Sequence, residues 1–219
     1  MHMLTSRTAE TGATIRTVAV VGLGYIGLPT AAILATNGLE VIGVDVNQGT
    51  VDAVNNGDVP FVEPDLGIHV AGAVSQGRLR AQIQTPSADA YIVAVPTPFN
   101  ADKSADMSYI AAAARAIAPQ LTGGELVILE STSPPGSTRR LAELILGLRP
   151  DLSLDGRDGK PVLLVAHCPE RVLPGRIMIE LVTNRPGGRR PHGRGRRRRG
   201  CAVRSVLPGR NPPHGRGNG

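Results

Sequence analysis

Along the first 184 residues, dense apolar runs alternate with polar or glycine-marked breaks. Thr17 to Val21 is a β-branched run of strand length, which suits a strand buried on both faces. An alanine-rich apolar segment of helical length follows, Tyr25 to Asn37, and Gly38 is its stop. Val41 to Val44 reads as a second strand and ends in Asp45. Asn47 is placed to N-cap a helix to about Asn56, which Gly57 ends. Asp58 to Pro64 reads as a loop, and Asp65 as the cap of a helix from Leu66 to about Gln76. Leu79 to Ile83 alternates like a strand, and Ala88 to Val95 reads as a buried one. Ser108 is placed to cap a helix to Ile117, and Glu125 to Leu129 is a further strand. Ser137 to Leu148 is a helix entered through Ser137, Arg149 to Lys160 a polar loop, and Pro161 to Ala166 a last strand.

Strands alternating with helices predict an α/β fold, a doubly wound parallel sheet with right-handed crossovers. Every stretch with chemical promise directly follows a strand. Gly22-x-Gly24-x-x-Gly27 follows the first and Asp45 ends the second. Pro96-Thr97-Pro98 follows the fourth, Ser131 to Gly136 the fifth, and Cys168-Pro169-Glu170-Arg171 the sixth. In a parallel sheet these ends share one edge, where doubly wound folds bind ligands.

Strand, glycine turn, helix, strand and acid form the order that a dinucleotide requires. Gly22 permits the tight turn, Gly24 lets the backbone approach a pyrophosphate, and Gly27 lets the helix pack closely, its N-terminus facing the negative charge. Asp45 stands where an acid accepts hydrogen bonds from an adenosine ribose and repels a 2′-phosphate, which favours NAD over NADP. A Rossmann domain for another nucleotide fits the same residues. A membrane helix over Val18 to Ala35 does not, because Gly22, Gly24, Gly27 and Pro29 interrupt it.

Composition changes this picture at one end. The chain has 219 residues, 41% of them hydrophobic and only 2% aromatic, so the core rests on Val, Leu, Ile and Ala. Residues 185–219 hold 11 of the 24 Lys and Arg and none of the 18 Asp and Glu. The preceding 184 residues therefore carry 13 basic against 18 acidic groups, a net charge of −5 despite the overall +6. Residues 1–16 are polar, lack the apolar core of a secretory signal and are expected to be disordered, with the cytoplasm as the expected compartment. Cys168 and Cys201 make neither a disulfide framework nor a metal site, and no metal is expected.

Each strand-end residue also has a plainer reading. Pro96-Thr97-Pro98 fits an ordinary turn as well as a stiff wall beside a cofactor. Thr132 lies in a hydroxyl-rich loop held by two prolines and a glycine, and can orient a water or a substrate hydroxyl. Glu170 fits a general base, or a surface carboxylate paired with Arg171. Cys168 reads as a packing residue, because His167 points the other way in an extended strand.

VAVVGLGYIGLPTAAILA, GVDVN, VPFVEPDL, ADAYIVAVPTPF, VILESTSPPGST and CPERVLPG together resemble the N-terminal part of the UDP-glucose/GDP-mannose dehydrogenase family. The resemblance spans residues 17–184, and ESTSPPG with CPERVLPG favours its N-acetylmannosamine branch. It implies NAD-dependent oxidation of a UDP-sugar primary alcohol to the uronic acid, through a thioester on a cysteine. It also implies that Gly22, Gly24, Tyr25, Ile26 and Gly27 hold the pyrophosphate and Asp45 the ribose. Pro96, Thr97 and Thr132 would line the cofactor–substrate junction. Thr132 and Glu170 would serve catalysis, with Glu170 activating water, and Glu170 and Arg171 would face the sugar nucleotide.

The sequence departs from the family after Asn184. The nucleophilic cysteine of a GGxCxPKD-type motif, the family's dimer-forming helix and its UDP-binding domain have no counterpart, and Cys201 in RGCAVRS does not match. Eleven Arg, nine Gly and five Pro in residues 185–219 are what a GC-rich gene yields out of frame, so a disordered, frameshifted tail is expected. This leaves a catalytically inactive NAD-binding fragment as the alternative. A tail that binds nucleic acid is the remaining reading, but it lacks interleaved aromatics.

Overall fold

The computed structural model describes residues 14–98 and 105–169. Six parallel strands form one sheet in the order β3-β2-β1-β4-β5-β6: β1 Thr17–Val21, β2 Glu40–Val44, β3 Leu79–Gln82, β4 Ala90–Val93, β5 Leu126–Glu130 and β6 Leu164–Cys168. The helices are α1 Gly27–Thr36, α2 Gln48–Asn55, α3 Leu66–Ser75, α4 Ser108–Ile117 and α5 Ser137–Leu148. The order reverses at β1, which pairs with β2 on one side and β4 on the other. This is the doubly wound arrangement that the sequence predicts.

Two cores explain why the strands read as continuous apolar runs. Val18 and Val20 of β1 join Leu28, Ala32, Val70 and Ala73 of α1 and α3 on one face. Ala19 and Val21 join Ile110, Ile117, Leu141 and Ile145 of α4 and α5 on the other. With both faces covered, alternation has no polar side to show. Helix α1 is the most deeply set, with nine of its ten residues buried.

Helix entries differ from expectation in two places. Asn47 does cap α2, its side chain accepting from the amides of Gly49 (2.8 Å) and Thr50 (3.4 Å). Asp65 precedes α3 in a left-handed conformation, φ 62°, and its side chain makes no capping bond. Ser108 is the first helical residue rather than the cap, and its N–H donates to the Asp106 carboxylate at 2.8 Å. Ser137 opens α5 as expected, with Gly136 at the cap position and the Ser137 hydroxyl donating to the Pro134 carbonyl at 2.8 Å.

Strand ends shift for equally local reasons. Before β4, the Asp89 carboxylate accepts from the amides of Arg16 and Thr17, at 2.8 and 2.9 Å. Before β6, Val162 is diverted into an isolated bridge with Ser153, so the strand begins at Leu164 instead of Pro161. At the opposite edge, the Asn55 side chain donates to the carbonyl of Ala81 (2.9 Å) and accepts from its amide (2.7 Å), pairing with β3 as a neighbouring strand would.

Glu125, just before β5, accepts from the Thr122 amide and hydroxyl and from the Gly123 amide, at 2.8, 2.7 and 2.8 Å. Burial opposes its ionisation, but these bonds outweigh that and hold the carboxyl below its ordinary pKa. A folded-state pKa lowered in this way contributes stability above the unfolded value, about 4.3, that is lost as pH falls through the folded value. Glu125→Gln is therefore expected to be less stable than the wild type at pH 7, with the gap narrowing in acid. Urea unfolding at pH 7 and pH 4 checks this, and a gap that does not narrow would count against it.

Candidate functional site

The C-terminal ends of the strands gather the predicted residues at one edge of the sheet. The turn after β1 is fastened to β2 by the Gly22 amide, which donates to the Val44 carbonyl at 2.8 Å. Gly22 has φ 95°, and a Cβ there would lie 2.7 Å from the Ala94 carbonyl oxygen. A Cβ on Gly27 would lie 1.8 Å from the Gly22 carbonyl oxygen and 3.2 Å from Ala94 Cβ. The first turn of α1 thus sits directly on the glycine turn, as the spacing of the two residues requires.

Gly24 is different. Nothing lies within 4 Å of where its Cβ would point. Ile26 occupies the N-cap position of α1, no side chain caps that end, and its first turn holds no acid. An uncapped helix N-terminus behind the exposed residues Gly24 and Tyr25, with open space over the glycine, suits a pyrophosphate. Tyr25 is half exposed and stacks on Phe61 from the α2–α3 loop, ring centroids 4.3 Å apart and tilted by 32°. Phe61 was not among the expected site residues, although it is one of only two phenylalanines in the chain.

Asp45 follows β2 and is partly buried. One carboxylate oxygen accepts from the Leu23 amide at 2.8 Å and the other from the Asn47 amide at 2.9 Å. Each oxygen keeps a further lone pair, so the held carboxylate can accept from a ribose diol. These features fit NAD: amides and open space for its diphosphate, and an oriented acid for its adenosine ribose.

Pro96 and Thr97 follow β4, Pro96 exposed and Thr97 partly so. Thr132 follows β5 in the loop before α5 and is exposed, next to buried Ser131. Cys168 ends β6, partly exposed, in register with Glu130. Thr97, Thr132 and Cys168 thus share the strand-end edge with the glycine turn. Glu170, Arg171 and residues 185–219 lie outside the described residues. Among the described residues, no three of His, Cys, Asp and Glu group to hold a metal, and no helix is long and apolar enough to cross a membrane.

Comparison with known proteins identifies the family. Residues 16–193 match the UDP-glucose/GDP-mannose dehydrogenase family, NAD binding domain. An NDP-N-acetyl-D-galactosaminuronic acid dehydrogenase of Ralstonia nicotianae is 58% identical over 170 residues, covering 77% of this chain and 40% of the relative. The UDP-N-acetyl-D-mannosamine dehydrogenase of Escherichia coli K12 is 53% identical over 169 residues, with the same coverage. The native structure of the UDP-N-acetyl-mannosamine dehydrogenase of Staphylococcus aureus superposes with a TM-score of 0.68 at 38% identity, over 75% of this chain and 39% of that one. The chain spans about two-fifths of the length of the curated relatives it matches. With a parallel sheet reversing at β1, a glycine turn on α1 and a clamped acid after β2, the chain belongs to the UDP-glucose/GDP-mannose dehydrogenase family, through its NAD-binding domain.

Proposed function

We propose that this chain supplies the NAD-binding part of an enzyme that oxidises the primary alcohol of a UDP-sugar, UDP-N-acetylmannosamine, to its carboxylate. The observation that carries the reading is the Asp45 carboxylate, held by two backbone amides beside an uncapped helix N-terminus. Relatives named for UDP-N-acetyl-D-mannosamine support the substrate class. NAD, when bound, would accept a hydride at the alcohol stage and, as a second equivalent, another at the aldehyde stage, so two are consumed for each carboxylate formed.

The residues of this chain then divide the work. The exposed part of the glycine turn, Gly24 and Tyr25 at the N-terminus of α1, faces the diphosphate. Asp45 accepts from the adenosine ribose and disfavours a 2′-phosphate. Thr97 and Thr132, at the ends of β4 and β5, are positioned toward the junction of cofactor and sugar. The family resemblance assigns Glu170 to activating a water for the hydrolytic step and Arg171 to the sugar nucleotide, and both lie outside the described residues.

Asp45→Ala is expected to weaken NAD binding about 10- to 100-fold, the loss of charge-assisted hydrogen bonds, and to narrow the preference for NAD over NADP. Calorimetry on the full chain with both dinucleotides measures it, and unchanged NAD affinity would remove Asp45 from the site. NADH formation with UDP-N-acetylmannosamine tests the oxidation. Binding without turnover would leave this chain an NAD-binding module only.

A further inference from the structure

We infer that Gly43, inside β2, is a positioning residue for the Asp45 carboxylate and so for ribose recognition. The inference rests on the reading of Asp45 as the ribose acceptor. Leu23, between the first two glycines of the turn, is fully buried. A Cβ on Gly43 would lie 2.7, 2.8 and 3.2 Å from Leu23 Cδ1, Cδ2 and Cγ. Real Cβ atoms do not approach another heavy atom within 3.0 Å, so the Leu23 side chain uses the missing Cβ as its seat. The amide of the same residue donates to one oxygen of Asp45.

Gly43 therefore fixes how closely the glycine turn lies to β2, and that spacing delivers the Leu23 amide to the carboxylate two residues further along. From the other side, the Asn47 amide holds the second oxygen, and the Asn47 side chain is itself fixed as the cap of α2. Neither Gly43 nor the Leu23 side chain need touch a dinucleotide. Leu23 packs into the α1/α3 core and has no exposed side to retreat to. The atoms met are the end of the Leu23 side chain, and because that side chain is packed on every side, an added methyl on β2 is expected to move it together with the turn and draw its amide from Asp45.

The two ways of disturbing Asp45 have different signatures. Asp45→Ala removes the negative charge, so NADP gains relative to NAD. Gly43→Ala keeps the charge and disturbs only its aim, so NAD weakens while NADP stays excluded. Full-chain variants Asp45→Ala, Gly43→Ala and Leu23→Val/Gly43→Ala are compared by calorimetry with NAD and NADP, with thermal unfolding alongside. Gly43→Ala is expected to bind NAD about tenfold more weakly, as for one lost charge-assisted hydrogen bond, with no gain in relative NADP affinity. Shortening Leu23 in the double variant is expected to recover most of that loss.

Gly43→Ala binding NAD like the wild type, while Asp45→Ala is weakened, overturns the inference and leaves the ribose reading standing. Asp45→Ala binding NAD like the wild type overturns both. Should Gly43→Ala not fold, the double variant decides. Folding with near wild-type affinity supports the contact, whereas failure to fold, or affinity as weak as that of Asp45→Ala, overturns it.

Discussion

Gly27→Ala is expected to abolish measurable NAD binding and to destabilise the fold by about 3 kcal/mol or more. The new methyl would meet the Gly22 carbonyl at 1.8 Å for its oxygen and 2.9 Å for its carbon, with Ala94 Cβ at 3.2 Å. The closest atoms are backbone, so no side-chain rotation relieves the clash. Reaching even 3.0 Å requires a displacement of at least 1.2 Å between α1 and the turn. Because α1 is almost wholly buried, that displacement loosens its packing on the sheet and on α3 and shifts the glycine turn proposed to hold the diphosphate. Gly24→Ala is the informative contrast. Its methyl enters open space, so the melting temperature should hold while NAD affinity falls if the diphosphate passes there as proposed. Thermal unfolding with NAD calorimetry separates the two, and a Gly27→Ala protein with wild-type melting and affinity would show slack that the distances deny.

Tyr91→Ala is expected to cost about 3–5 kcal/mol, a drop in melting temperature on the order of 10 °C. Tyr91 is fully buried in β4, in the core beneath α4 and α5. Its hydroxyl accepts from the Ala88 amide at 3.0 Å and donates to the Pro86 carbonyl at 3.2 Å, tying the loop before β4 to the strand. Burial pushes the phenol pKa up, so the hydroxyl stays protonated and able to donate. Tyr91→Phe keeps the ring and loses only the two bonds, about 1 kcal/mol each. Equal losses for the two variants in urea unfolding would place the stabilisation in the hydroxyl rather than in ring packing.

The strands and the glycine turn were legible because the same physical demands act locally and globally. A strand covered on both faces must be apolar throughout, and a turn that receives a helix must lack Cβ atoms at fixed spacing. Asn47 was legible because side chain and backbone of one residue make the cap. Asp65 and Ser108 were misread because a polar residue near a helix start does not reveal the backbone angles. Before α4 the cap position falls on Met107, and Asp106 accepts from the Ser108 amide instead. Gly43 was overlooked although a glycine inside a strand signals a close approach, because what approaches, Leu23, lies twenty residues away in sequence. Thr97 and Thr132 reach the predicted edge, since topology alone carries them there.

The Asn55 side chain on Ala81 has a consequence for how copies of this domain meet. An outermost strand with open amides and carbonyls is a template on which another chain can polymerise. On β3 a carboxamide already occupies the middle of that template, so the sheet is closed to growth at this border. Asn55→Ala would reopen it, exchanging one intramolecular pairing for an invitation to intermolecular ones.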